Sequence, residues 1–100
     1  MEITKEVQGG QLTLKLLGRL DTRTAPDLEA ELRSSLDGVK ELVLDMEELE
    51  YISSAGLRVL LSAQKAMNIQ GSMRLRHVGE AVRDVLEITG FVDILTIENE

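Results

Sequence analysis

Polar and apolar residues alternate over residues 2–7, with Ile3 and Val7 on one side. They alternate again over residues 11–17, where Leu12, Leu14 and Leu16 oppose Thr13 and Lys15. A period of two predicts a half-buried strand in each segment, and Gly9-Gly10 between them predicts an antiparallel hairpin. Gly18-Arg19-Leu20-Asp21 breaks the alternation, after which the period lengthens. Ala25, Leu28, Leu32 and Leu36 recur at helical spacing behind Thr24 as a cap, Pro26 in the first turn and Asp27 at the capping-box position, and Gly38 ends the helix.

Residues 41–45 form a continuous apolar run bounded by acids, the pattern of a strand buried on both faces. A second helix follows Ser54, with Leu57, Leu60, Leu61 and Gln64 on one broad face, Ala63 and Met67 beside it, and Asn68 and Gly71 closing it. Residues 72–78 predict a strand with Met73 and Leu75 inward and Arg74 and Arg76 outward. Gly79-Glu80 opens a third helix carrying Ala81, Val82, Val85 and Leu86, Gly90 stops it, and residues 94–97 predict a last short strand. The resulting order, β-β-α-β-α-β-α-β, calls for parallel strands joined by right-handed crossovers after the hairpin. The fold class expected is α/β: one domain over residues 1–100, with a small, mixed, mostly parallel sheet, an N-terminal β-hairpin and about three helices.

Composition narrows the function. The chain is 43% hydrophobic with two aromatic residues, Tyr51 and Phe91, so its core must be aliphatic and it lacks stacking platforms for bases. A net charge of −7 also opposes nucleic acid and anionic membranes, and favours a partner with a basic face. Without cysteine there is no disulfide, thiolate chemistry or Cys-based metal site. No apolar run approaches the roughly 18 residues of a membrane span, and residues 1–6 lack the apolar core of a signal peptide. The chain reads as cytoplasmic.

Candidate chemistry is sparse. A nucleophilic serine needs a base, and the single histidine, His77, stands at the end of a predicted strand as a packed or rim residue. Neither Ser53 nor Ser54 has the glycine two positions earlier that a nucleophile elbow requires. Asp45, Glu47, Glu48 and Glu50 lack the ligand alternation and central glycine of a calcium loop and read as a solvated acidic turn. There is no Gly-x-x-x-x-Gly-Lys loop. The expectation is a protein that is not an enzyme and takes no cofactor and no metal.

What remains is the segment Tyr51-Ile52-Ser53-Ser54-Ala55-Gly56-Leu57-Arg58, where a loop becomes a helix. Free backbone N–H groups and the positive dipole end at such a position favour a hydroxyl cap, and favour an added phosphate more. A cap needs one side-chain oxygen, so the second serine is spare. Tyr51, Ile52 and Leu57 flank the serines with apolar surface that a partner could cover.

Leu42-Val43-Leu44-Asp45 followed by this segment resembles the signature of the STAS domain, in particular that of the bacterial anti-sigma factor antagonists. Gly18-Arg19-Leu20-Asp21 with Ala25 and Leu28 is similar to that family's other marked stretch. The resemblance covers essentially the whole chain and implies a STAS-like single domain that regulates transcription by protein binding. In such families the unphosphorylated antagonist binds an anti-sigma factor that is also a serine/threonine kinase. Phosphorylation ends the contact, and a phosphatase resets it. The register of Gly56-Leu57 places Ser54 at the phosphorylated position. The resemblance further implies that Asp21, Tyr51, Ile52, Ser53, Ala55, Gly56, Leu57 and Arg58 lie at the partner contact. Many members carry Asp immediately before the phosphoserine, where this chain has Ser53. The alternative implied is a STAS adaptor subunit of a transporter or signalling complex with no phosphorylation cycle.

Overall fold

The computed structural model describes residues 1–98. The hairpin forms as expected. β1 (Glu2–Gln8) pairs antiparallel with β2 (Gln11–Leu20) across the glycine turn, in a register that sets Ile3 opposite Leu16 and Lys5 opposite Leu14. Helix α1 (Ala25–Ser35) returns the chain so that β3 (Glu41–Asp45) lies parallel to β2. β5 (Ser72–Arg76) then pairs parallel with β3. The core is aliphatic: Leu12, Leu14, Leu16, Leu42, Leu44 and Leu75 on one face of the sheet are buried. Leu28 and Leu32 of α1, and Leu60 and Met67 of α2 (Ser54–Gln70), belong to the same cluster. Lys5, opposite Leu14 on that face, donates to Ser35 Oγ at 3.0 Å and so marks the side on which α1 lies.

The strand order departs from the pattern reading in the acidic run and after α3 (Glu80–Ile88). Residues 49–52, expected to be part of a solvated turn, form a strand, β4 (Leu49–Ile52), parallel to the last residues of β2. Its two buried residues, Leu49 and Ile52, are three apart rather than two, so no period-two signal exists to read. For the same reason Gly18 does not end β2. The strand continues to Leu20 through a register shift at Gly18/Arg19, with Gly18 at φ +103°, and there exchanges β3 for β4 as its partner.

The expected strand at 94–97 reduces to one parallel bridge between Leu75 and Ile97. A 3₁₀ turn (Phe91–Asp93) follows α3 (Glu80–Ile88), and Phe91 O accepts from Ile94 N and Leu95 N at 3.0 and 2.9 Å. Those donors are spent before they can reach β5. The capping box at α1 is also absent. Thr24 Oγ1 accepts from Asp21 N at 2.9 Å and donates to Arg19 O at 2.7 Å, while Asp21 Oδ1 accepts from Arg23 N at 3.0 Å and Thr24 N at 3.2 Å. The cap is a local Asx turn because Asp21 reaches the free donors first.

Asp45, at the end of β3, is the acid that burial touches most, with 7% of its surface exposed. Burial pushes its carboxyl up, but it accepts from Glu47 N at 3.0 Å and lies 3.1 Å from His77 Nδ1 and 3.6 Å from Arg76. Those partners outweigh burial, and its pKa falls below the ordinary value. A carboxyl lowered by folding stabilises the native state above its unfolded pKa, and that contribution disappears as pH falls through the folded value. The wild type is therefore expected to exceed Asp45→Asn in stability at pH 7, with the gap closing below about pH 4. Urea unfolding at pH 7, 4 and 2.5 measures it, and a gap that does not change with pH would remove the charge from the account.

Candidate functional site

The end of β4 and the start of α2 carry the serine pair. Ser53 has extended backbone (φ −103°, ψ 177°) and is the N-cap: its N–H donates to Leu20 O at 2.9 Å and its Oγ accepts from Gly56 N at 3.5 Å. Ser53 is thus tied to β2 on one side and to the helix on the other. Ser54, the first helical residue, is exposed, and its hydroxyl makes no hydrogen bond among the described residues. Capping belongs to Ser53, and Ser54 is the spare hydroxyl.

The eight-residue segment divides by burial. Ile52 (2% exposed) and Leu57 (4%) point into the core, so the expectation that they offer apolar surface to a partner is corrected. They anchor the loop instead, because the helix can start over β2 and β4 only if its first turn is seated on apolar side chains. Gly56 makes that seat close: a β-carbon there would lie 2.7 Å from Leu20 Cγ and 2.9 Å from Ile52 Cγ1. Tyr51, Ser54 and Arg58 are exposed, and Ser53 and Ala55 are half-buried. The accessible group is therefore Tyr51, Ser53, Ser54, Ala55 and Arg58.

The structure adds the opposite wall. Thr22, Ala25 and Pro26, from the β2–α1 turn and the first turn of α1, line a groove with Ala55 and Arg58. Further along, the groove continues between α1 and α2 past Leu32, Leu36, Ser62 and Ala66. The wall was not readable in the sequence because the parallel pairing of β2 and β4 is what sets the two helix starts side by side.

Asp21 stands behind that wall. Partial burial works to raise its pKa, but hydrogen bonds from Arg23 N, Thr24 N and the Thr24 hydroxyl, with Arg19 nearby, lower it below the usual carboxylate value. Its carboxylate is largely committed to holding the turn. On the other side, the Arg19 guanidinium lies 4.3 Å from the Tyr51 ring centroid, above its face.

Among the described residues no group of three or more His, Asp or Glu side chains converges to hold a metal ion, and no helix is long and apolar enough to cross a membrane. Asp45, Glu47, Glu48 and Glu50 are separated by the turn into β4, with Asp45 held by His77 and Arg76 and Glu47 3.9 Å from Lys15.

Known proteins share both sequence and fold. BtrV of Bordetella bronchiseptica, provisionally named an anti-sigma factor antagonist, is 42% identical over 99% of this chain and 87% of its own length. The solved anti-sigma factor antagonist SpoIIAA in its unphosphorylated form superposes with a TM-score of 0.77 at 16% identity, covering 99% of this chain and 89% of that one. The Bacillus cell fate determinant SpoIIAA in its phosphorylated form gives 0.75 at 18% identity, covering 99% and 93%. The family model of the STAS domain matches residues 2–100, and this chain accordingly belongs to the STAS domain family.

Proposed function

We propose that this chain is an anti-sigma factor antagonist that binds an anti-sigma factor acting as a serine kinase, and that phosphorylation of Ser54 ends the contact. The observation that carries this reading is the division of labour at the start of α2. Ser53 caps the helix, leaving Ser54 exposed with an uncommitted hydroxyl. The name of BtrV supports the class of partner. SpoIIAA has been solved unphosphorylated and phosphorylated, and both forms share this chain's fold, which supports phosphorylation of an intact domain of this kind.

The physics of release is local. A phosphate adds about −1.5 to −2 charges near neutral pH. The amino end of α2 favours it, so the domain keeps its fold. A partner surface fitted to a neutral serine would have to desolvate that charge, at a cost of several kcal/mol unless its own cations pair with it. A phosphatase would restore the neutral surface.

Incubation with an anti-sigma kinase from the source organism and ATP is expected to add one phosphate, read by intact mass and located on Ser54 by peptide mapping. Equal labelling of Ser54→Ala would show that the site assignment is wrong.

A further inference from the structure

Beside the switch, Tyr51, which the family resemblance already sets at the partner contact, is paired with Arg19, to which neither the phosphate chemistry nor the resemblance assigns a role. Arg19 and Tyr51 are direct cross-strand neighbours, a pairing created by the register shift at Gly18/Arg19. A bulge of this kind turns a side chain to a new direction. Here it brings the Arg19 guanidinium over the Tyr51 ring, at 4.3 Å from its centroid. Both groups remain open to solvent: the Arg19 side chain is 59% exposed, and Tyr51 is 40% exposed. The next residue on each strand, Leu20 and Ile52, is in the core, so the pair stands on rigid backbone.

The guanidinium is held but not satisfied. Its charged neighbour is Asp21, an ion pair with Nε 3.8 Å from Oδ2, beyond hydrogen-bond distance. Among the described residues no side-chain hydrogen bond from the guanidinium supplements that ion pair. Stacking on an aromatic face fixes the plane of a guanidinium and leaves its edge, with two parallel N–H donors, free for a carboxylate.

The local charge admits that occupant. The chain as a whole carries −7, yet Arg19 and Arg23 line one cleft beside the turn, and Arg58 lines the groove on its other side. Against these three arginines stand three acids, Glu50, Glu29 and Asp21, the last with its carboxylate held to the turn. An acidic group on a partner therefore meets a charge-balanced patch here, whereas the chain as a whole repels it.

We propose that the Arg19–Tyr51 pair is a specificity contact. The guanidinium edge donates to a carboxylate side chain of the partner protein, and the tyrosine ring packs beside it. The proposal rests on the anti-sigma partner named above, because it specifies how that partner is chosen. Tyr and Arg at the centre of a contact commonly carry a large share of its affinity.

The test uses the full chain, unphosphorylated, and the anti-sigma kinase from the source organism, with calorimetric titration at 50 and 300 mM NaCl. Arg19→Ala and Arg19→Gln are expected to weaken binding about tenfold or more at low salt, and to flatten the salt dependence seen with the wild type. Arg19→Lys, which keeps the charge but not the stacked fork, should recover only part of the loss. Tyr51→Ala should weaken binding as well. The double variant should lose clearly less than the product of the two single losses, since the tyrosine acts partly through the arginine.

Melting curves accompany each variant, and Arg19→Gln carries the test if Arg19→Ala is unstable. If Arg19→Ala and Arg19→Gln bind within twofold of the wild type while Ser54→Asp still releases the partner, the specificity contact is overturned and the switch stands. If the wild type does not bind the kinase, the anti-sigma reading falls and this contact with it. If Arg19→Ala leaves unphosphorylated binding intact and alters only the phosphorylated form, the arginine serves the phosphate, which also overturns the proposal.

Discussion

Gly71→Ala is expected to lower the unfolding free energy by about 3 kcal/mol, at the upper end of what overpacking costs. The residue ends α2 and leads into β5, and its N–H donates to Met67 O at 2.7 Å. A β-carbon there would lie 2.0 Å from Lys40 O and 2.7 Å from Lys40 C. The obstacle is backbone, on the segment that enters the central strand β3, where Ser72 N also donates to Lys40 O at 3.0 Å. Neither chain can yield without breaking the first hydrogen bonds between β3 and β5. Gln70 tightens the same corner by donating to Leu36 O and Val39 O, each at 2.7 Å. Gly56, at the other end of α2, meets side chains, those of Leu20 and Ile52, and not backbone. Urea denaturation should place the midpoint of Gly71→Ala far below that of the wild type. A change under about 0.5 kcal/mol would mean that the α2–β5 corner is looser than its geometry implies.

Ser54→Asp is expected to weaken binding of the anti-sigma partner at least about tenfold, or 1.4 kcal/mol, without weakening the fold. One carboxylate supplies only part of the charge of a phosphate, so the true phosphorylated form should lose more. The fold survives because an acid in the first turn of a helix is favourable, by about 0.3–1 kcal/mol. Ser54→Ala should bind like the wild type, since Ser53 provides the cap and Ser54 provides no hydrogen bond among the described residues. Ser53→Ala should do the reverse. It loses about 1 kcal/mol of helix stability and still accepts phosphate on Ser54. Titration calorimetry together with melting curves separates these effects. Affinity unchanged in Ser54→Asp would sink the blockade argument.

The contrast between the two serines shows how far each level of description reaches. Gly56-Leu57 and the change from a strand-like to a helical period place a helix start at this point, and a hydroxyl cap follows from elementary backbone accounting. Which hydroxyl caps and which faces solvent depends on where the backbone is held. The hydrogen bond from Ser53 N to Leu20 O settles it, and that bond requires β4. The strand itself was hidden. Four residues, two of them acidic or aromatic and exposed, bury only Leu49 and Ile52. Local pattern recognises a strand by alternation, and a short edge strand entered next to a bulge does not alternate. Asp21 shows the same limit. Its residue type suggested surface charge near the serines, whereas its carboxylate faces the N–H groups of Arg23 and Thr24.

The amino-acid order alone sets the aliphatic core, the hairpin, the three helices and the place where a serine pair meets a helix start. These depend on periods of two and 3.6 and on glycine, proline and hydroxyl residues acting within a few positions of themselves. Assembly in three dimensions assigns Ile52 and Leu57 to the interior, leaves Ser54 outside, and brings Arg19 over Tyr51 and Thr22 across from Ala55. Those choices depend on which strand β2 pairs with beyond Gly18. Pairing between segments some thirty residues apart is decided by the packing of the whole sheet and leaves no periodic trace in the chain.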